Sequence, residues 1–194
     1  MGVSFYVAHQ ITGTFFGKSK IIHLADYGGL TIESIKNVEV WRLFTSQLIH
    51  VHQKHMIYNV LSILLLGIIL ERKIGAKYIF AIWLLAGASG TLFSTQFGTP
   101  PWNTGTGASQ AAFGFAGFLA VLALKKSDHF YLIIFALAFA LIPSLYLDIK
   151  SVGYPKPGHT LSFAIGFMFA LYFYKSHSLN RSYQRIEQTY KNGQ

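Results

Sequence analysis

The chain has 194 residues, 52% of them hydrophobic and only 12% charged, with no cysteine. Soluble domains carry about 25% charged residues, so lipid is the solvent this composition fits; the missing cysteine excludes disulfides, thiolate-bound zinc and a thiol nucleophile. The net charge of +9 fits Lys and Arg in the cytoplasmic loops of a membrane protein, and without a basic stripe of interleaved aromatics no nucleic acid is expected as a partner.

A spanning helix needs about 20 mostly apolar residues. The first candidate, Val3 to Gly17, is shorter and holds His9 and Gln10, so it reads as a marginal first span. The N-terminus has no basic n-region and is not read as a cleavable signal peptide. Residues 18–54 carry five Lys and Arg offset by Asp26, Glu33 and Glu39. Within them Trp41 and Arg42 read as an interfacial anchor, where Trp sits at headgroup level. A second span covers 53–70 and ends at Glu71-Arg72-Lys73. Tyr78 to Leu124 holds no charge and is too long for one span. The loop chemistry of "GTPPWNTGTG" cuts it, predicting helices over 77–97 and 108–124. Lys125-Lys126-Ser127-Asp128 follows, then a charge-free run from His129 to Leu147, the loop "DIKSVGYPKPG", and a last span from Gly158 to Tyr174.

The expected fold is therefore an all-α membrane bundle of six transmembrane helices, the first one short, over residues 1–174. A basic cytoplasmic tail, 175–194, would lie near anionic lipid. Three Lys and Arg in 71–77, two in 125–128 and four in the tail outweigh none in 98–107 and two in 149–157. That bias puts the first group on the cytoplasmic side, and an even number of spans puts both termini there.

With this topology the helices at 53–70, 108–124 and 158–174 run from outside to inside, each with unusual polar residues in its first turns. His55 and Asn59 share one face by their i,i+4 spacing; Ser109 and His159 open the other two. Polar groups inside a span are costly and mark function. Gly158, Ser162 and Gly166 form a row of small residues, and Ser109, Ala112, Ala116 and Ala120 form another, which predicts close backbone approach in lipid. That approach would bring His159 to Ser109 as the base of an activated nucleophile. No carboxylate joins them; the nearest acid on the outer side is Asp148. A dyad is expected, with the Ser109 backbone N–H, His55 and Asn59 as donors to an oxyanion. Each residue also has a plainer reading. Ser109 is a packing serine, His159 a capping or snorkelling residue, Asn59 an interhelical bond. "HVHQKH" could be a metal cluster, but no acid lies close, and neither metal nor cofactor is expected.

Taken in order, these residues resemble the rhomboid family of intramembrane serine proteases. "WRLFTSQLIH" looks like the family's Trp-Arg stretch. His50, His55 and Asn59 match its His…His…Asn spacing, and Glu71 and Gly75 fall where it has Glu and Gly. Gly107-Ala108-Ser109 matches the motif Gly-x-Ser-Gly up to its last residue. Gly158-His159 with Gly166 matches part of the final-helix pattern. The resemblance implies a six-helix bundle around a water-accessible cavity, with Ser109 as nucleophile, His159 as base, and His55, Asn59 and the Ser109 N–H at the oxyanion. Its substrates would be single-span membrane proteins cut near the outer end of their span, in a membrane such as the bacterial inner one. Three positions depart from the pattern: Gln110 replaces Gly, Phe113 stands where well-known members have Tyr, and Ser162 replaces the first Gly, which would hold the helices at 108–124 and 158–174 slightly apart. The main rival is an inactive rhomboid-like protein that binds membrane clients; such members usually lack the serine or histidine, and this chain keeps both. A transporter would carry ion-site carboxylates or inverted repeats. The natural substrate and the oligomeric state are not legible in the sequence.

Overall fold

The computed structural model describes residues 1–100, 103–126 and 129–192, with side chains described as far as Ser176. The α-helices run in the order α1 (Gly2–Thr12), α2 (Ile32–Lys36), α3 (Arg42–Thr45), α4 (Gln53–Ile74), α5 (Ala76–Phe97), α6 (Ser109–Leu124), α7 (Phe130–Val152) and α8 (Pro157–Asn192), with 3-10 turns at Ile21–Tyr27 and Ser46–Leu48. The one bridge among the described residues pairs Leu30 with Gly105. The protein is an all-α bundle.

Helix α6 is apolar on every side, and such a helix belongs in the middle of a bundle. It is buried at every residue except Ala120 and Leu124, and α4, α5, α7 and α8 surround it. Phe115, Phe118 and Leu119 of α6 meet Leu66 and Leu70 of α4, Ile82 of α5 and Ile133 of α7 in one core. By length and composition α5 and α7 are each able to cross a membrane, and α6 is a shorter apolar helix. Helix α7 turns Phe135, Ile142 and Tyr146 outward, each at least 60% exposed. So large an unpaired apolar face fits lipid rather than water.

The expected first span is the short one. Helix α1 stops at Gly13, whose N–H bonds the His9 carbonyl at 2.8 Å. Its eleven residues reach about 16 Å, against roughly 30 Å of hydrocarbon. The last helix is longer than the span read from sequence. No Gly or Pro interrupts residues 167–192, and α8 continues through the basic segment to Asn192. The lipid contacts expected of that segment's side chains lie outside the described residues, as do Ser127 and Asp128 between α6 and α7 and Pro101 and Trp102 between α5 and α6.

The central helices touch closely, as the small-residue rows predicted, and Gly166 of the predicted row is one of the contact points. A Cβ on Gly166 would sit 1.8 Å from the Gly114 carbonyl oxygen, and one on Gly117 would sit 2.0 Å from that of Phe163. Backbone thus meets backbone between α6 and α8 at Gly114 and Gly117. The start of α8 also leans on α5: a Cβ on Gly158 would lie 2.3 Å from the Gly90 carbonyl oxygen. Ser162 does not hold α8 away from α6. Its hydroxyl donates to the Ala86 carbonyl of α5 at 2.9 Å, so the polar atom replacing a hydrogen of Gly is satisfied across that interface.

Helices α4 and α7 share a polar tie. Pro143 sits inside α7 and has no N–H to give the Phe139 carbonyl. The Tyr58 hydroxyl of α4 fills that gap, lying 2.8 Å from the Phe139 oxygen and 2.7 Å from that of Ala140.

Candidate active site

Ser109 is the first residue of α6, and the loop ahead of it is pinned from the other side of the chain. Leu30 and Gly105 exchange backbone hydrogen bonds of 3.0 and 2.7 Å, and the Gly107 N–H bonds the Ser46 carbonyl at 2.8 Å. Gly107 has φ +92°, a left-handed conformation that only glycine takes without strain. The Ala108 N–H donates to His50 Nε2 at 3.3 Å. Residues from the 18–54 stretch, Leu30, Ser46 and His50, therefore form the frame of the serine loop.

Arg42 belongs to that frame. Its guanidinium donates to the carbonyls of Ala25 and Gly29, the latter at 2.9 Å, and pairs with Glu39. It also lies over the Trp41 ring, 4.6 Å from the centroid. Trp41 is half exposed, as an interfacial anchor would be. Arg42 thus ties the carbonyls of Ala25 and Gly29 to Glu39.

His159 is the third residue of α8, whose start at Pro157 uses a residue suited to a helix's first position. Its Nε2 lies 2.8 Å from Ser109 Oγ. Both side chains are buried, at 5% exposure each. The Phe113 ring stacks on the imidazole at 4.3 Å with 3° between planes. The aromatic platform survives without a hydroxyl.

The expectation that no carboxylate joins the pair is corrected by the structure. Asp148 Oδ2 lies 2.5 Å from His159 Nδ1, and the same oxygen accepts the Lys156 N–H at 3.0 Å. Asp148 is 1% exposed, and Lys156 Nζ stands 3.6 Å from its other oxygen. Helix α7 ends at Gly153, and the turn through 154–156 folds back so that the carboxylate meets the first turn of α8. Sequence reasoning named Asp148 and set it aside. The signal was there: Ala136, Ala140, Ser144 and Asp148 recur every fourth residue and all are buried.

The remaining polar residues are placed unequally. Asn59 is buried, and its Nδ2 lies 3.2 Å from His50 Nε2. One amide hydrogen therefore goes to His50 rather than to the serine. With two donors aimed at Nε2, His50 is a neutral imidazole carrying its proton on Nδ1. Burial, then the neighbouring His55, pushes its pKa down to about 3. The His55 ring stacks on Tyr58 at 6.2 Å and stands 6.3 Å from that of His50. His52 caps the start of α4, so the three histidines of "HVHQKH" have three separate settings. Gln110 is buried beside the nucleophile, and its Oε1 accepts from Ser109 Oγ at 3.2 Å. Glu71 is exposed in the last turn of α4, where its carbonyl bonds the Gly75 N–H at 2.9 Å.

A cavity of about 610 Å³ opens beside this group, with His55, Ser109, Gln110, Asp148 and His159 on its walls. First-turn N–H groups of a helix have no acceptor within the helix, so the start of α6 offers donors at the Ser109 backbone. The arrangement can activate a hydroxyl and receive a developing negative charge.

What has been built is a helical membrane bundle with a hydrogen-bonded serine–histidine pair sunk below one end. A family model of the Rhomboid domain matches residues 37–176. The chain belongs to the rhomboid family, and with it to the integral membrane proteins. It is 31% identical over 130 residues to Rhomboid protease GluP of Bacillus subtilis, covering 64% of this chain and 25% of that one. It is 32% identical over 115 residues to Putative rhomboid protease YdcA of the same organism, covering 57% of each. It is also 33% identical over 109 residues to Inactive RHOMBOID-like protein 8 of Arabidopsis thaliana, covering 56% of this chain and 30% of that one. The chain spans about a third of RHOMBOID-like protein 1 and RHOMBOID-like protein 4 of Arabidopsis thaliana, at 35% and 37% of their length. The family thus includes serine proteases and inactive members.

Proposed function

We propose that the protein is an intramembrane serine endopeptidase that cuts single-span membrane proteins near the extracytoplasmic end of their span. The observation that carries this reading is the 2.8 Å contact between His159 Nε2 and Ser109 Oγ at the wall of an open cavity. Ser109 Oγ attacks the scissile carbonyl carbon while its proton passes to His159 Nε2. The carbonyl oxygen, now an anion, takes hydrogen bonds from the Ser109 N–H, with His55 and the second amide hydrogen of Asn59 as further donors. As the C–N bond breaks, His159 gives its proton to the leaving amine. Water then enters by the same route, gives a proton to Nε2 and bonds the acyl carbon; as the bond to Ser109 Oγ breaks, His159 returns that proton to Oγ and the acid leaves. The substrate has to unwind locally, since an intact helix hides its carbonyls in its own hydrogen bonds.

The domain is 1–174, with 175–194 as a basic cytoplasmic tail. Both termini face the cytoplasm, and the membrane is the bacterial inner one. The client-binding alternative is favoured by one observation, the relative named as inactive; the intact serine–histidine contact weighs against it.

The test is cleavage of a single-span substrate by the purified protein in liposomes, beside Ser109→Ala and His159→Ala. Each variant should lose activity by about 10³-fold or more. Equal cleavage by all three proteins would sink the mechanism. Folded wild-type protein that binds a panel of such substrates and cuts none would favour client binding.

A further inference from the structure

We propose that Asp148 is a positioning residue for the reaction, converting the serine–histidine pair into a serine–histidine–carboxylate relay. The inference rests on the endopeptidase reading and deepens it.

A carboxylate at 1% exposure on an otherwise apolar helix is expensive unless it is paired and hydrogen-bonded. Here all its partners lie at the site. Oδ2 meets His159 Nδ1 at 2.5 Å and the Lys156 N–H at 3.0 Å, and Oδ1 faces Lys156 Nζ at 3.6 Å. An ionised carboxylate only accepts, so it demands a proton on Nδ1. That leaves Nε2 as the lone-pair nitrogen, the one 2.8 Å from Ser109 Oγ. The carboxylate therefore selects the tautomer able to take the serine proton. The Phe113 face fixes the ring plane, and Asp148 fixes the rotation within that plane.

The proton balance gives it a second role. When the Ser109 Oγ–H proton moves to Nε2, His159 holds two protons and a positive charge. The carboxylate on Nδ1 balances that charge and keeps its own atoms unprotonated throughout. The proton then leaves from Nε2 to the amine, and the neutral tautomer returns. Lys156 does not compete for this role, since its backbone and its ammonium both address Asp148. It limits how far the carboxylate can turn away.

The experiment compares wild type, Asp148→Asn, Asp148→Glu and Ser109→Ala in detergent, reading substrate kcat and KM, the rate of Ser109 labelling by a fluorophosphonate, and thermal unfolding. In Asp148→Asn, kcat and labelling should both fall at least about tenfold, with KM within about twofold. Asp148→Glu, which keeps the charge, should recover part of the labelling rate. A second measurement needs no variant at position 148. In Ser109→Ala protein labelled with 15N-histidine, His159 should show a protonated Nδ1 with a strongly downfield proton, assigned by its loss in His159→Gln. A kcat and labelling rate within twofold of wild type in folded Asp148→Asn would overturn the proposal, and so would an unprotonated Nδ1. In both cases the endopeptidase reading stands as long as wild type cleaves. Folded wild type that neither cleaves nor labels would overturn that reading, and this one with it.

Discussion

Phe113 and His159 lie face to face, 4.3 Å apart with 3° between their planes. A flat apolar ring can support an imidazole without hydrogen-bonding it. Phe113→Leu keeps most of the buried volume and removes the flat face. It should cost about 1 kcal/mol of stability and lower kcat about tenfold, with little change in KM. Kinetics in liposomes alongside a melting curve will check this. An unchanged kcat would show that the histidine needs no platform.

Gln110 offers Ser109 a second acceptor. The serine has one hydrogen, and either His159 Nε2 or Gln110 Oε1 can take it. Gln110→Ala removes the competitor, and with it a hydrogen bond worth about 0.7 kcal/mol. Fluorophosphonate labelling of Ser109 should then become about threefold faster. A slower rate would mean that the glutamine amide serves the oxyanion as a donor.

His50 makes stability depend on pH. It lies in the loop ahead of α4, and its folded-state pKa is near 3 rather than 6.5. Between those values the unfolded chain holds a proton that the folded chain does not. Its contribution is complete above pH 6.5 and is lost as pH falls toward 3. One proton corresponds to a slope of about 1.4 kcal/mol per pH unit. Unfolding in detergent at several pH values should show stability falling on acidification, and His50→Gln should flatten that fall. At pH 7, His50→Ala should cost about 1–3 kcal/mol, because the buried Ala108 N–H loses its acceptor.

Two glycines separate contact from conformation. Gly166→Ala would drive a methyl into the Gly114 backbone, which no rotamer change relieves; a loss of ~3 kcal/mol or more is expected, with activity lost as well. Gly75→Ala meets nothing within 4 Å, but its φ is +82° and its ψ 160°. That region costs about 1–3 kcal/mol for any side chain. Activity at low temperature should survive in Gly75→Ala and not in Gly166→Ala.

Much of this was legible because charge marks the ends of apolar helices. The helix predicted over 77–97 forms as Ala76–Phe97, and that over 108–124 as Ser109–Leu124. The proximity of Ser109 and His159 was also readable, from the small residues that let the two helices approach. Gly166 of the predicted row does meet α6, but its partner Gly114, like Gly117 against Phe163, was not in the row read for that helix. Asp148 was missed because a carboxylate at a helix end reads as a solvated terminus. Its burial depends on a turn that brings back Lys156. The role of His50 was hidden for a similar reason: it is set by a backbone N–H 58 positions away, and a pattern of side chains records no backbone partner.

The contact between Gly114 and Gly166 bears on how the protein lives in different membranes. A bilayer that thickens or thins makes helices tilt to match it. Where two helices meet through side chains, tilting can slide one past the other by a rotamer change. At Gly114 and Gly166 helices α6 and α8 meet through bare backbone, which has no such slack, so they lean together as one rigid strut. The distance from Ser109 to His159 is then inherited from the peptide chain itself, and a change of host lipid reorients the pair without parting it.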